Sequence, residues 1–432
     1  LVNHPLDCPI CDQSGECKLQ DFVFSEGREH GRGQEPKRVL GRDDFGGDVL
    51  FNADRCVMCT RCVRFMREVA EDEQLTVVER GNRAIIDTFF ERGLDDSPFA
   101  GNIVDICPVG ALISKDFLHK ARAWDLDRTP SICPSCSQGC NITLDTRDNL
   151  VQRLKPRENL SVNGWWMCDF GRHNYEWINR GGRLEVPLVD GSASGWTEAL
   201  ESLLSRLGEE VGDVKGVTWA HSSNEEMGML KALVQRLGGG EVVYRSPRAD
   251  DEIPLPGFPN LVRRKELAPN DAGAEIFGFG RVGDENAEGG LDAMADHDGV
   301  LIVVGDPLAD VDAAFGSKAK LFVYLGAHGS PATENAHFVL PIATFAEQEG
   351  SYTNVQGRAQ RFWPGMRAPG AARPGWLILA ALLAELSDGE VPVSADQAFA
   401  QVASGTPFDG LTYRDMGTHG SPVTQPASVS GD

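Results

Sequence analysis

The sequence predicts two parts of different architecture, a cysteine-rich run of small α+β domains followed by an α/β domain. Three observations carry this. All eleven cysteines lie at or before position 168 of the 432 residues. They fall into groups with gaps of two, three or five residues, followed in each group by a more distant partner or preceded by a histidine. Beyond them, short β-branched runs alternate with amphipathic helix-like runs, the pattern of a parallel sheet covered by helices.

Composition narrows the function. A net charge of −23 argues against nucleic acid as a partner and for a soluble surface or a basic docking partner. No run of about 18 apolar residues exists, so no direct membrane span is expected. No signal peptide opens the chain. It starts with Leu1, and a ligand-like histidine stands at position 4, so a fragment of a longer protein is expected. An odd cysteine count suits neither a disulfide framework nor a secreted protein, and points to metal binding in a reducing compartment.

Residues 1–47 read as a loop domain. His4-Pro-Leu-Asp-Cys8-Pro-Ile-Cys11 runs on to Cys17, and Pro5, Pro9 and Gly15 favour a wrapping loop over a helix. Three thiolates and one imidazole can hold a [4Fe–4S] cluster of raised potential, because neutral histidine removes negative charge. A zinc site with three cysteines and one histidine is the competing reading. Residues 26–47 read as a surface connector rich in Gly, Arg and Asp.

Residues 48–125 read as a ferredoxin-like α+β unit. Cys56, Cys59 and Cys62 have the C-x2-C-x2-C spacing that suits three corners of a cubane [4Fe–4S] cluster, and soft thiolates suit iron–sulfur chemistry. In two-cluster ferredoxins a fourth C-P cysteine follows three residues later and serves the other cluster. Here Met66 holds that place, and the fourth ligand is Cys107 before Pro108. Counting back from Cys107 gives Ser97, Ala100 and Ile103, so every ligand of the other cluster is missing. The stretch from Val57 to Glu71 predicts a loop running into a helix. Leu75–Glu79 and Arg83–Asp87 predict a hairpin turned at Gly81-Asn82. Cys107 is expected to open a second helix.

Residues 126–186 read as a small β-rich domain. Cys133, Cys136, Cys140 and Cys168 form C-x2-C-x3-C-x27-C, with a predicted hairpin from Asn141–Asp145 to Leu150–Lys155 between them. A zinc ribbon competes, although the three-residue gap and single distant cysteine suit it poorly. Three sets use every cysteine, with His4 completing the first.

Residues 187–415 read as α/β. Trp196–Leu207 and Glu225–Leu237 predict helices; Val214–Ala220, Val300–Val304 and Lys320–Leu325 predict buried parallel strands. Gly278-Phe-Gly280-Arg-Val-Gly283 matches GxGxxG, but no helix is predicted after it, so it reads as a loop and not a dinucleotide site. Residues 246–275 read as a long surface segment, and 416–432 as a disordered tail.

The three ligand sets, in this order, resemble the family of large iron–sulfur subunits of respiratory complex I, the NADH-quinone oxidoreductase. His337-Phe-Val-Leu-Pro341, Glu347-Gln-Glu-Gly350-Ser-Tyr-Thr-Asn354 and Gly357-Arg-Ala-Gln360 resemble the molybdopterin oxidoreductase fold that this family shares with formate dehydrogenases. The resemblance implies α+β iron–sulfur domains followed by an α/β molybdopterin-oxidoreductase-like scaffold. It implies three [4Fe–4S] clusters here, a [2Fe–2S] cluster in a missing N-terminal domain, and an electron relay from NADH and FMN towards quinone. Partners would be the other peripheral-arm subunits, NADH/FMN-binding and quinone-proximal, at the cytoplasmic face of the bacterial inner membrane. It implies no substrate site in this chain. Molybdenum is not expected: Phe170 stands where molybdopterin enzymes carry a lysine, and no cysteine follows Cys168. The competing functions are a catalytic subunit of an NAD-linked formate dehydrogenase or related hydrogenase, and a zinc-stabilised scaffold.

Overall fold

The computed structural model describes residues 3–423 apart from 29, 35, 89–92, 210–211, 283–290 and 388. The chain divides into two compact units. The first takes residues 1–129, 142–176 and 252–263; the second takes 130–141, 177–251 and 264–432. The expected 126–186 segment contributes to both.

The first unit is a set of small sheets and short helices. Arg42–Asp44, Val49–Asn52 and Leu112–Ser114 form an antiparallel sheet, with Leu50 opposite Ile113. The predicted hairpin is present: Leu75–Val78 pairs with Ile85–Thr88 in antiparallel register, and Gly81 takes a positive φ of 64° in the turn. Asn141–Arg147 and Leu150–Pro156 form the other predicted hairpin, turned at Asp148 and Asn149, both at positive φ. The loop running into a helix is present: Met58 and Thr60 adopt left-handed backbone at φ 53° and 59° before the helix Arg61–Glu68.

Cys107 does not open a helix. It caps the end of the helix Asn102–Ile106, and the chain continues into the strand Leu112–Ser114. Pro108 withholds an N–H, and Leu112 and Ile113 gain more by pairing with Leu50 and Phe51 and burying themselves. Met66, Ser97, Ala100 and Ile103, the positions read as lacking cluster ligands, are all buried, and the Phe65 ring packs against Trp166 at 4.8 Å between centroids, tilted by 56°. These four positions serve packing.

The second unit is α/β. Its eight-stranded sheet runs in the order Ser192–Ala193, Leu188–Val189, Phe338–Pro341, Leu321–Gly326, Val300–Val304, Val214–Trp219, Val242–Arg245, Gly280–Val282. From Phe338–Pro341 onward every pairing is parallel. Alternate residues of Val300–Val304 enter different cores: Ile302 packs with Leu230 and Leu379, whereas Val303 packs with Phe315 and Phe322. A parallel sheet buried on both faces explains the near-continuous apolar strands. The predicted helices appear as Trp196–Glu209 and Asn224–Arg236, the latter opened by a Ser223–Glu226 capping box.

Three expectations change. Residues 246–275 are not a surface segment throughout: Leu255, Leu261, Ala268 and Asn270 are buried, and Asp271–Ile276 is helical. The GxGxxG run is not a loop at Gly280–Val282, which is an edge strand beside Val243–Arg245; residues 283–290 lie outside the described residues. Strand here follows helix, the reverse of the dinucleotide fingerprint. The tail is ordered as far as it is described: Met416 is buried and Ser421–Pro422 pairs with Arg358–Ala359, while 424–432 lie outside the described residues.

Candidate metal centres

The second ligand set is the most complete. Cys56, Cys59, Cys62 and Cys107 all line one small cavity, walled by Phe51, Ile86, Val109 and Leu112. The left-handed turns at Met58 and Thr60 fold the C-x2-C-x2-C loop back on itself before Cys62 enters its helix. Burial pushes the Cys62 thiol up to about 12, with the charge of Cys107 and then of Cys56 and Cys59 adding to it. Cys107 is pushed up to about 11 by burial, opposed by the backbone N–H groups of Val109, Leu112 and Ala111. Cys56 is raised by burial too, and three thiols this reluctant to ionise need positive metal charge to become thiolates. Donated N–H bonds to sulfur are the way proteins tune such sites, and here a loop supplies them in place of the expected helix start.

In the first set the expected loop is present. Pro9 opens a single turn at Cys8–Ile10, Gly15 has a φ of 87°, and Cys17 caps the helix Lys18–Glu26. Cys11 and Cys17 are buried and Cys8 is exposed. Burial holds the His4 imidazole below its ordinary range, and its Nδ1 is buried without a hydrogen-bond partner. An imidazole nitrogen left so is a natural metal donor. His4 and Cys56 line a common cleft. The loop is tied down by charged side chains that sequence reasoning missed. Arg122 Nη1 donates to the Cys11 carbonyl at 2.8 Å, and Arg153 grips Glu16, beside Cys17, at 2.9 and 2.8 Å. Lone arginines far along the chain carry no spacing signal.

The ligands of the third set are divided between the units. In the second unit Cys133, Cys136 and Cys140 are buried on one loop, closed by the Cys133 N–H on the Cys140 carbonyl at 2.8 Å. Burial pushes the Cys133 thiol up to about 12, with Cys136 adding to it. The motifs singled out downstream hold this loop. Gln360 Nε2 donates to the Gly139 carbonyl at 2.8 Å, Asn354 Nδ2 to that of Gln138 at 3.3 Å, and Val355 N–H to that of Ser137 at 2.8 Å. Gln348, Ser351 and Thr353 instead satisfy Glu226, Glu225 and Asn224 at the start of the helix Asn224–Arg236. Cys168, in the first unit, is buried, caps the helix Asp169–His173 and accepts the Gly171 N–H at 3.3 Å. Asn102 holds the residue before it, donating to the Met167 carbonyl at 2.8 Å and accepting its N–H at 3.1 Å. Phe170 is largely exposed.

Among the described residues no three His, Cys, Asp or Glu side chains converge as a single ion requires. A zinc ion draws its donors to one point, whereas a cubane spreads them over four corners around a volume. Cys56, Cys59, Cys62 and Cys107, set around one cavity, suit the second arrangement.

Family comparisons agree in the same order along the chain. Residues 1–32 match the NADH-ubiquinone oxidoreductase-G iron-sulfur binding region. Residues 46–113 match the ferredoxin-like domain of NADH-quinone oxidoreductase subunit 3. Residues 126–180 match the molybdopterin oxidoreductase Fe4S4 domain, and 292–385 match molybdopterin oxidoreductase. A subunit of the Rickettsia felis NADH-quinone oxidoreductase is 39% identical over 244 residues, covering 55% of this chain and 36% of that one. Subunit 3 of the Thermus thermophilus enzyme is 39% identical over 248 residues, 53% of this chain and 31% of that one. The mitochondrial NADH-ubiquinone oxidoreductase 78 kDa subunit of Candida albicans is 30% identical over 503 aligned positions, 88% of this chain and 70% of that one. The match thus spans about a third of the bacterial relatives' length. A solved NAD+-reducing [NiFe]-hydrogenase is 27% identical over 28% of this chain and 53% of its own, at a TM-score of 0.25 that bears no weight. The chain belongs to the family of NADH-quinone oxidoreductase subunits that includes these two bacterial proteins and the 78 kDa subunit of the mitochondrial enzyme.

Proposed function

We propose that this chain is the electron-relay subunit of a respiratory complex I, an NADH:quinone oxidoreductase, with no substrate site of its own. It holds three [4Fe–4S] clusters, on His4, Cys8, Cys11 and Cys17, on Cys56, Cys59, Cys62 and Cys107, and on Cys133, Cys136, Cys140 and Cys168. The observation that carries the reading is the cavity ringed by Cys56, Cys59, Cys62 and Cys107. When bound, a [4Fe–4S] cluster supplies reversible one-electron transfer.

The chain's own work is to hold the ligands close, keep water out and set the potential. Apolar walls from Phe51, Ile86 and Leu112 do the second for the Cys107 set. His4 contributes no charge to the first set, which favours a higher potential than four thiolates would give; the later place of that set in the relay is taken from the family resemblance. In this reading the Cys56 set would hold the cluster that accepts electrons from the NADH/FMN-binding subunits, and the His4 set the one that would pass them to a quinone-proximal iron–sulfur subunit. The Cys133 set is assigned a structural place off that path.

With every cysteine assigned, the [2Fe–2S] cluster implied by the family has no ligands among these residues. No molybdenum site is assigned, since Phe170 replaces the lysine and no thiol follows Cys168. No helix among the described residues is long and apolar enough to cross a membrane. We place the chain peripherally, at the cytoplasmic face of the bacterial inner membrane. The test is Cys59→Ala in the assembled complex: NADH-to-quinone turnover should be lost, and retained turnover would refute the relay assignment.

A further inference from the structure

The turn Cys107-Pro108-Val109-Gly110 is where the two ligand sets of the first unit meet. Cys107 belongs to the second set. Cys17 Sγ, of the first, lies 3.7 Å from the Pro108 carbonyl oxygen. A Cβ placed on Gly110 would stand 2.3 Å from Cys11 Sγ and 3.0 Å from Gln13 Cβ. Non-bonded carbon contacts settle at about 3.5–4.0 Å, so 2.3 Å is a clash that something must relieve. The Gly110 backbone is outside the left-handed region, so no conformational need for glycine exists there. What the position requires is the missing side chain.

The Cys11 backbone cannot step aside easily. Its carbonyl accepts from Arg122 Nη1 at 2.8 Å and from the Ser14 N–H at 3.0 Å, and its side chain is buried. Only rotation about the Cα–Cβ bond can move the sulfur. A free thiol can make that rotation; a thiolate bonded to iron cannot.

We propose that Gly110 is a positioning residue for the first cluster: its bare Cα lets the Cys11 sulfur lie against the turn that carries Cys107, and so lets two clusters share one turn. This rests on the cluster assignment proposed for His4, Cys8, Cys11 and Cys17. An alanine at position 110 should therefore cost the metal-free fold little, with Gln13 giving by a few tenths of an ångström, and cost the first cluster. That asymmetry separates a positioning role from a structural one.

The experiment uses the full chain, reconstituted anaerobically with iron and sulfide, as wild type, Gly110→Ala and Cys8→Ala. Gly110→Ala should nearly keep the melting temperature of the metal-free chain. It should lose about four of about twelve iron atoms. The EPR signal that disappears or shifts should be the one removed by Cys8→Ala, with that of the Cys56 set intact. Full iron with an unchanged first-cluster spectrum would overturn the proposal. So would loss of both signals together with a lower metal-free melting temperature, because glycine would then serve the fold. Zinc in the wild-type chain in place of iron would overturn the cluster reading and this inference together, before any variant is compared.

Discussion

Arg55, which precedes Cys56, is 1% exposed, and its guanidinium meets the carboxylate of Asp7, which precedes Cys8, at 2.7 Å. The residues ahead of the first cysteine in two ligand sets are thus paired with each other, and the pair is asymmetric. Asp7 keeps 26% of its side chain in contact with solvent. Asp7→Ala strands a fully buried guanidinium and should cost about 3–5 kcal/mol. Arg55→Met leaves a carboxylate that water can reach, and should cost about 1–3 kcal/mol. Urea unfolding of the metal-free variants checks the order; equal losses would mean that Asp7 is as dry as Arg55.

His4→Cys exchanges a neutral donor for a thiolate at the first cluster. Added negative charge favours the oxidised form, so the midpoint potential should fall while that of the Cys56 set stays put. Redox titration followed by EPR reads both clusters at once, and an unmoved first midpoint would remove His4 from the ligand set.

Gln360→Ala should act on the third set. Gln360 is fully buried, donates to the Gly139 carbonyl and accepts from Asn141 Nδ2 at 2.6 Å. Truncation removes one hydrogen bond from each group beside Cys140, at about 1–3 kcal/mol in all. Iron should fall by about four atoms per chain, with the signals of the first two clusters unchanged. Undiminished iron would show that the loop keeps its shape without Gln360.

Glu225 gives the second unit a pH dependence. Burial pushes its carboxyl up to about 7, against hydrogen bonds from Ser351 and Tyr413 that favour the charged form. A carboxyl with a raised pKa keeps its proton in the folded state while the unfolded chain releases it. Stability therefore falls as pH rises from the ordinary value of 4.5 to about 7, then levels. The span corresponds to roughly 3 kcal/mol. Glu225→Gln should flatten this slope. Hydrogen exchange in the helix Asn224–Arg236 at pH 5 and pH 8 measures it, and a slope that survives the substitution would assign it to another group.

Much of the site can be read from the sequence because iron–sulfur ligation is local. Cys56, Cys59 and Cys62 lie within seven positions, and the departures at Met66, Ser97, Ala100 and Ile103 are legible against the two-cluster spacing. The strands Val300–Val304 and Leu321–Gly326 announce themselves through unbroken apolar runs. What escapes depends on tertiary neighbours. The helix expected after Cys107 lies before it, because Leu112 and Ile113 are claimed by a strand more than 50 residues upstream. Arg55, Arg122 and Arg153 read as ordinary surface charges until the carbonyls and carboxylates they meet are known. Residues 246–275, rich in Pro and charge, hide the buried Asn270, whose side chain joins Ser222 and Thr353. Gly110 reads as turn punctuation; its meaning lies in the sulfur beside it.

The central claim is that the cysteines hold clusters. Iron, acid-labile sulfide and zinc analysis of the anaerobically purified chain tests it most directly. The cluster reading predicts about twelve iron and about twelve sulfide per chain. About three zinc with no sulfide would contradict it.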